Sequence, residues 1–394
     1  MTQGGSGAVW LLALGQTLTY AGVYYAFPAL LPDLQVATGW SVAELALGPT
    51  VAFMVMAALT PFTGRLVDRG YGGGMLMGLP VLGAAGLAGL GLAQTPWQWV
   101  ALWAMIGVAQ AGCLYETCFA FLTRRLGTEA RAAITKVTVV AGFAGTLAFP
   151  LGDVLGREFG GQGALVAFAA VVLGGAVPVN VLAVRRLRRL DRLKAAPPPE
   201  EPGALRVALR RPEFWAIAVV FGLIWLNHGI LLTYILMLFA DRGSSQGMAT
   251  LAAACIGPAQ VFGRLVLLWN EAKVSNGRAT LYALAAVVGG GVLLWAAGVA
   301  PLLIFGFAAL QGAGAGLLSV LRPMLIAEQL GRRGFGTISG VVAISPILAS
   351  AAAPSVGAAM LGWGGPHVIY AACLAMAVAG LCVMIWLLGR KPGA

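Results

Sequence analysis

Long apolar runs constrain this chain more than any other feature of its sequence. Twelve stretches read as membrane crossings: 8–31, 43–64, 74–93, 97–122, 134–155, 162–184, 213–239, 247–268, 278–298, 301–327, 335–361 and 365–388. A hydrocarbon layer about 30 Å thick takes about 20 apolar residues in a helix. Composition agrees: 59% of the residues are hydrophobic and 10% are charged, against about 25% charged in an ordinary soluble domain. A soluble fold has no means of covering that much apolar surface. The first run is too long for a signal peptide and lacks the basic start and cleavage pattern of one, so it is read as a span. The expected fold class is an all-α membrane protein with twelve transmembrane helices in two pseudo-symmetric six-helix bundles.

Basic residues then orient the chain. With twelve spans, the loops after even-numbered spans share one side with both termini. Every Lys and Arg falls on that side except Arg157 and Arg242, on the other, and Arg322, inside span 10. Basic loops mark the cytoplasmic face, so both termini are expected in the cytoplasm. Lys scarce beside Arg, with abundant Ala and Gly, suggests a GC-rich bacterium, and the expected location is the bacterial inner membrane. The same residues produce the net charge of +11, which reads as a topology signal and an attraction for anionic membrane lipids, not as a nucleic-acid footprint. The cysteines lie inside spans, show no C-x-x-C spacing and pair with no histidine. No cofactor, metal or disulfide is therefore expected.

The chain divides into an N-terminal bundle, 1–184, a cytoplasmic linker, 185–212, and a C-terminal bundle, 213–394. In the linker, Pro197, Pro198, Pro199 and Pro202 prevent regular helix. The following "ALRVALRR" reads as an amphipathic turn or two on the lipid surface. Gly-Arg-Leu-Val stands at 64–67 and again at 263–266, each copy closing the second span of its half, a few residues after Pro61 or Pro258. "GVAQAGCLYETCFAFLTRRLG", 107–127, resembles "QGAGAGLLSVLRPMLIAEQLG", 311–331. Spans 4 and 10 are thus equivalent elements of two parallel repeats, an arrangement in which substrate is held between halves near the midplane.

"GRLVDRGYG", 64–72, resembles the loop signature of the major facilitator superfamily, Gly-x-Leu-x-Asp-Arg-x-Gly, in Gly64, Leu66, Asp68, Arg69 and, one residue late, Gly72. The likeness extends over the whole chain. It implies a transporter that alternates between inward- and outward-open states, with Gly64, Arg65, Asp68 and Arg69 in the gate and Arg264 in a weaker second copy. Two departures stand out: "GGGM" replaces the usual trailing basic residues, and Leu268 falls near where the second acid belongs. Physically, the Asp68 carboxylate suits the N-terminal dipole of a facing helix together with Arg124 or Arg125; the plainer reading is a topology anchor. "TGWSVAELALGP" and "TRRLGTEARAAITKVTVVAGFAGTLAFPLG" look like monocarboxylate and oxalate/formate-type carriers, although Ser41 and Glu44 also form a Ser-x-x-Glu capping box. "GFAGTLAFPLG" partly resembles the fifth-span motif of drug antiporters.

The resemblance implies that spans 1, 4, 7 and 10 line the cavity. Span 1 offers Gln16, Tyr20, Tyr24 and Phe27 on one helical face, with Tyr25 off it; an aromatic packing stripe is the alternative. Span 4 offers Gln110 and Glu116, span 7 Asn227, His228 and Tyr234, and span 10 Gln311, Ser319 and Arg322 before Pro323. Charges inside hydrocarbon are functional suspects. Arg322 is expected to bind a substrate carboxylate through its two-pronged fork, unless it snorkels toward the basic side. Glu116, at nearly the equivalent depth of the other half, and His228 are candidate proton carriers. Tyr20, Tyr24, Asn227, His228 and Gln311 complete the expected substrate site. His228 as a satisfied interhelical group and Glu116 as a partner of Arg124 or Arg125 are the alternatives.

No Gly-x-x-x-x-Gly-Lys-Ser/Thr loop occurs, so an ion gradient is the expected energy source. The expected function is secondary active transport of a small, monocarboxylate-like organic anion with protons by a monomer. The alternative is a proton-coupled antiporter exporting a lipophilic or cationic drug-like compound, in which Glu116 is central and Arg322 structural. An intramembrane enzyme is disfavoured, because no metal cluster and no Ser–His pairing near one membrane surface occurs.

Overall fold

A computed structural model describes residues 3–191, 203–270 and 273–390. The linker positions Arg192, Lys194, Pro197, Pro198, Pro199 and Pro202 lie outside the described residues. Among the described residues there is no strand. Inside hydrocarbon the backbone must satisfy its own polar groups, and a helix does so within one segment.

Two compact units are present: Met1–Ala204 with Arg332–Val341, and Leu205–Gly331 with Val342–Ala394. The first contains α1 (Gln3–Val23), α2 (Ala26–Thr38), α3 (Val42–Asp68), α4 (Gly72–Leu90), α5 (Pro96–Cys113), α6 (Tyr115–Leu126), α7 (Ala130–Ala141), α8 (Ala144–Val171) and α9 (Val177–Asp191). The short α10 (Ala204–Leu209) leads into the second, which contains α11 (Pro212–Asp241), α12 (Gln246–Trp269), α13 (Asn276–Ala296), α14 (Leu303–Gln329) and α16 (Pro366–Gly389). Between α14 and α16 runs α15 (Phe335–Gly364), which starts in the first unit and continues in the second.

Ten helical stretches among the described residues are long and apolar enough to cross a bilayer. One, Ala130–Arg189, has 60 residues, about 90 Å of helix at roughly 1.5 Å per residue, and therefore makes two crossings. Gly160, at φ 69°, turns the chain between them; that left-handed conformation is open to glycine without a Cβ clash. With α1–α2 as the first crossing, the helices make the twelve-span arrangement.

Helix starts are set locally. The Ser41 hydroxyl accepts the Glu44 N–H at 3.3 Å while the Glu44 carboxylate accepts the Ser41 N–H at 2.9 Å, so the expected capping box opens α3. Thr95 and Gln98 form another ahead of α5, with Pro96 in the first turn.

Spans 1 and 4, expected as continuous helices, are each broken in the middle. Between α5 and α6, Leu114 is extended, at φ −89° and ψ −166°. The Tyr115 N–H leaves its helical partner and meets the Tyr20 hydroxyl at 3.2 Å. That partner, the Ala111 carbonyl, accepts the hydroxyls of Thr63 and Thr117 at 3.0 Å each. The Cys113 carbonyl accepts Gln16 Nε2 at 2.9 Å. In return, Gln110 on α5 donates its Nε2 to the Val23 carbonyl, at the α1–α2 break, at 2.7 Å. Each broken span thus carries the glutamine that satisfies the other.

Replacing Gln110 with Leu strands the Val23 carbonyl in an apolar interior. The expected loss is about 1–3 kcal/mol, read as a lower apparent melting temperature in detergent. A Gln110→Leu protein that melts with the wild type would show that the break is held by other contacts.

Candidate functional site

The charged stretch at the end of α3 sits against the beginning of α15. Asp68 is 7% exposed. Its carboxylate accepts the Gly336 N–H, the Thr337 N–H and the Thr337 hydroxyl, each at 2.8 Å. These donors include first-turn amides of α15 that have no helical acceptor, so the carboxylate caps the helix and meets its positive end. Arg124 donates to the Val67 carbonyl at 3.3 Å, one residue away. Gly64 is needed sterically: a Cβ there would run into the Gly336 carbonyl, and one on Gly336 would run into the Gly64 carbonyl. Gly340 faces Thr60 in the same way. Gly336-x-x-x-Gly340 is a small-residue stripe that brings two backbones together. The sequence reading missed it, though the spacing was its signal. Arg65 and Arg69 lie on the exposed side of this end.

The second copy of the tetrapeptide is used differently. Arg264 is 5% exposed and donates its Nε to the Gly316 carbonyl of α14 at 3.2 Å and its Nη2 to Gln260 Oε1 at 3.4 Å. The same four residues therefore hold an exposed arginine in one unit and a buried helix-to-helix bracket in the other.

In the first unit the expected one-face stripe on span 1 is divided by the α1–α2 break. Gln16 is fully buried on the α5 carbonyl, and Tyr20 receives the Tyr115 amide. Tyr20 also packs against Tyr115 with the rings tilted and their centroids 4.4 Å apart, and Tyr24 packs among Tyr20, Tyr25 and Phe53. Phe27, beyond the break, turns to Trp99 and Trp103. Glu116 stands in the first turn of α6, where a carboxylate suits the helix dipole. It lines a small recess with Thr60, Thr63, Gly64, Thr117, Gly336 and Gly340.

In the second unit α11 and α14 run unbroken, and their polar residues form one chain. Asn227 donates its Nδ2 to the Cys373 carbonyl of α16 at 2.8 Å. Gln311 Nε2 donates to Asn227 Oδ1 at 3.0 Å and contacts His228 Nδ1 at 3.3 Å. Asn227 and Gln311 are 2% and 1% exposed, and Gln311 Oε1 is buried with no hydrogen-bond partner among the described residues. On the same face of α14, three turns from Gln311, Arg322 is 7% exposed with its guanidinium 6.0 Å from the centre of the Trp225 ring. Trp225 is a neighbour that sequence reasoning did not single out. Pro323 leaves the Ser319 carbonyl without its usual helical donor. Tyr234 donates its hydroxyl to the Pro354 carbonyl at 2.6 Å, tying α11 to α15. Among the described residues no group of His, Cys, Asp and Glu is placed to hold a metal ion.

Membrane-crossing helices in two units, with buried polar and charged groups on spans 4, 7 and 10, define a polytopic membrane protein. The profile of the Major Facilitator Superfamily matches residues 12–309, and the chain belongs to that family. Solved structures share the fold. FucP, a Major Facilitator Superfamily transporter captured in the outward conformation, superposes with a TM-score of 0.71 at 14% identity, covering 97% of this chain and 99% of that one. A bacterial homologue of the iron transporter ferroportin, in an outward-facing state, gives 0.68 at 15% identity, covering 97% and 100%. A variant of FucP, the Escherichia coli fucose:proton symporter, gives 0.67 at 14%, covering 97% and 98%.

Asp68→Ala should leave the Gly336 and Thr337 amides without an acceptor. Hydrogen exchange at these two amides should then accelerate by tenfold or more, since a hydrogen bond to a charged group contributes about 1.5–3 kcal/mol. Unchanged protection at both would show that α15 is capped by something other than Asp68.

Proposed function

We propose that this transporter is a secondary active carrier that moves a small organic anion with protons by alternating access. Arg322 binds the anion's carboxylate. The observation that carries this reading is an arginine only 7% exposed inside an apolar span. Ionisable side chains inside membrane spans are rare; they pair within the protein and mark substrate and ion pathways. Arg offers two parallel donors that match a carboxylate, and Trp225 supplies an apolar wall beside them. Gln311 and His228 add a polar group on the same helix pair, with Asn227 bracing Gln311. Tyr20 and Tyr24 form the aromatic side of the substrate path in the first unit. Glu116 or His228 carries the coupled proton; proton coupling itself is in keeping with a fold-mate that is a fucose:proton symporter. Gly64, Arg65, Asp68, Arg69 and Arg264 are the gate. The protein works as a monomer in a bacterial inner membrane with both termini in the cytoplasm, as the distribution of arginines supports.

Arg322 is tested by ligand-induced thermal stabilisation in detergent. A carboxylate at about 100 times its Kd should stabilise the wild type by about 2.7 kcal/mol. Arg322→Lys, which keeps the charge and loses the fork, should need several-fold more ligand. Arg322→Ala should show no shift, its melting without ligand serving as the folding control. Equal stabilisation of Arg322→Ala and wild type removes Arg322 from the site. Stabilisation by neutral or cationic compounds alone replaces the anion carrier with a proton-coupled exporter centred on Glu116.

Proton coupling has its own measurement. In proteoliposomes, Glu116→Gln or His228→Gln should flatten the pH dependence of accumulation while leaving substrate exchange measurable. Full proton-driven accumulation in both variants excludes both side chains as the proton carrier.

A further inference from the structure

On the second unit, the start of α11 and the end of α16 leave an outward-facing groove of about 630 Å³ between them. Trp215 and Val219 form one wall, Cys382, Val383 and Trp386 the other, and Pro212 closes one end. The groove is shallow and open along its outer side, so it cradles one face of a chain and does not enclose a solute. No charged side chain lines the groove, so it suits a hydrocarbon chain and not a polar solute. Trp215 and Trp386 are 56% and 48% exposed; in a bilayer these surfaces face lipid.

One end of the groove is strongly basic. Arg211 directly precedes Pro212 and forms an ion pair with Glu213 at 3.3 Å. Arg206 and Arg210 are exposed on and just after α10. The Trp215 indole N–H ties this segment to the groove by donating to the Leu209 carbonyl at 2.9 Å. From the opposite wall, the exposed Arg390 places its guanidinium 4.9 Å from the centre of the Trp386 ring. Arg390 stands eight residues beyond Cys382, roughly 12 Å along the helix. Paired tryptophans mark the depth of a membrane interface, with cations at headgroup level and an apolar slot below.

The geometry points to a binding site for an anionic phospholipid, with an acyl chain in the α11–α16 groove and the phosphate held by Arg206, Arg210 and Arg390. Charge complementarity selects the headgroup. Arginine forks bind phosphate oxygens with two parallel hydrogen bonds, and basic pockets between transmembrane helices retain anionic lipids. Such a lipid clamps the segment leaving the linker to the first and last spans of the second unit.

The test uses full-length protein in detergent micelles, with phosphatidylglycerol or phosphatidylcholine of the same acyl chains added in turn. Native mass spectrometry and thermal unfolding read the result. Phosphatidylglycerol should be retained at least tenfold better than phosphatidylcholine and should raise the melting temperature more. The combined Arg206→Gln, Arg210→Gln and Arg390→Gln protein should lose that preference, and Cys382→Phe, which fills the groove and leaves the arginines in place, should lose retention of the lipid. An Arg185→Gln and Arg186→Gln protein, altered at the end of α9, should behave as wild type. Melting in phosphatidylcholine micelles reports the folding of each variant. Equal retention of the two lipids overturns the proposal, as does unchanged phosphatidylglycerol retention in either groove variant. Equal stabilisation by glycerol 3-phosphate also overturns it, because the site then takes a free anion and not a lipid.

Discussion

At bilayer depth a backbone carbonyl or amide that leaves its helix finds no water to replace the lost partner. The break at Leu114 exposes such groups in the middle of span 4, and the break after Val23 does so in span 1. Around the two interruptions gather Gln16, Gln110, Tyr20, Thr63 and Thr117, each hydrogen-bonded to a group the breaks set loose. Much of the polar content of the first unit's inner helices is thereby accounted for. The breaks also restart a helix at mid-membrane, so Glu116 stands in a first turn, where the positive end of α6 favours a carboxylate.

The second unit reaches a different solution with equivalent elements. Its α11 and α14 are unbroken, so Asn227 and Gln311 serve as cross-braces between side chains and the α16 backbone instead of mending an interruption. The repeated tetrapeptide diverges in the same manner. In α3 its glycine admits the close approach of α15, and its arginine lies outside; in α12 its arginine is turned inward onto a carbonyl of α14. Repeats that share sequence and span count need not share contacts, because one side chain's orientation depends on which neighbour arrives beside it.

Two arginines show how position changes meaning. Arg390, at the end of α16, lies exposed beside Trp386. Arg322 is the same side chain within an apolar span, where its environment makes it a candidate for substrate contact. Burial and neighbours separate these roles, whereas composition counts both only as positive charge.

The sequence by itself determined the helical membrane architecture, the paired repeats and the family, because span length, charge asymmetry and the 64–72 signature are local properties. It also indicated what Asp68 needs, the free amides of a helix start, and the polar residues of spans 1, 4, 7 and 10. Only the tertiary structure decided which helix Asp68 caps, since Gly336 and Thr337 lie more than 260 residues away and several spans begin with open amides. Only it revealed the break at Leu114, where neither proline nor glycine stands at the extended residue. There the helix yields because Gln16, Tyr20 and Thr63, from other spans, satisfy the groups it releases, and no local propensity records that they are within reach.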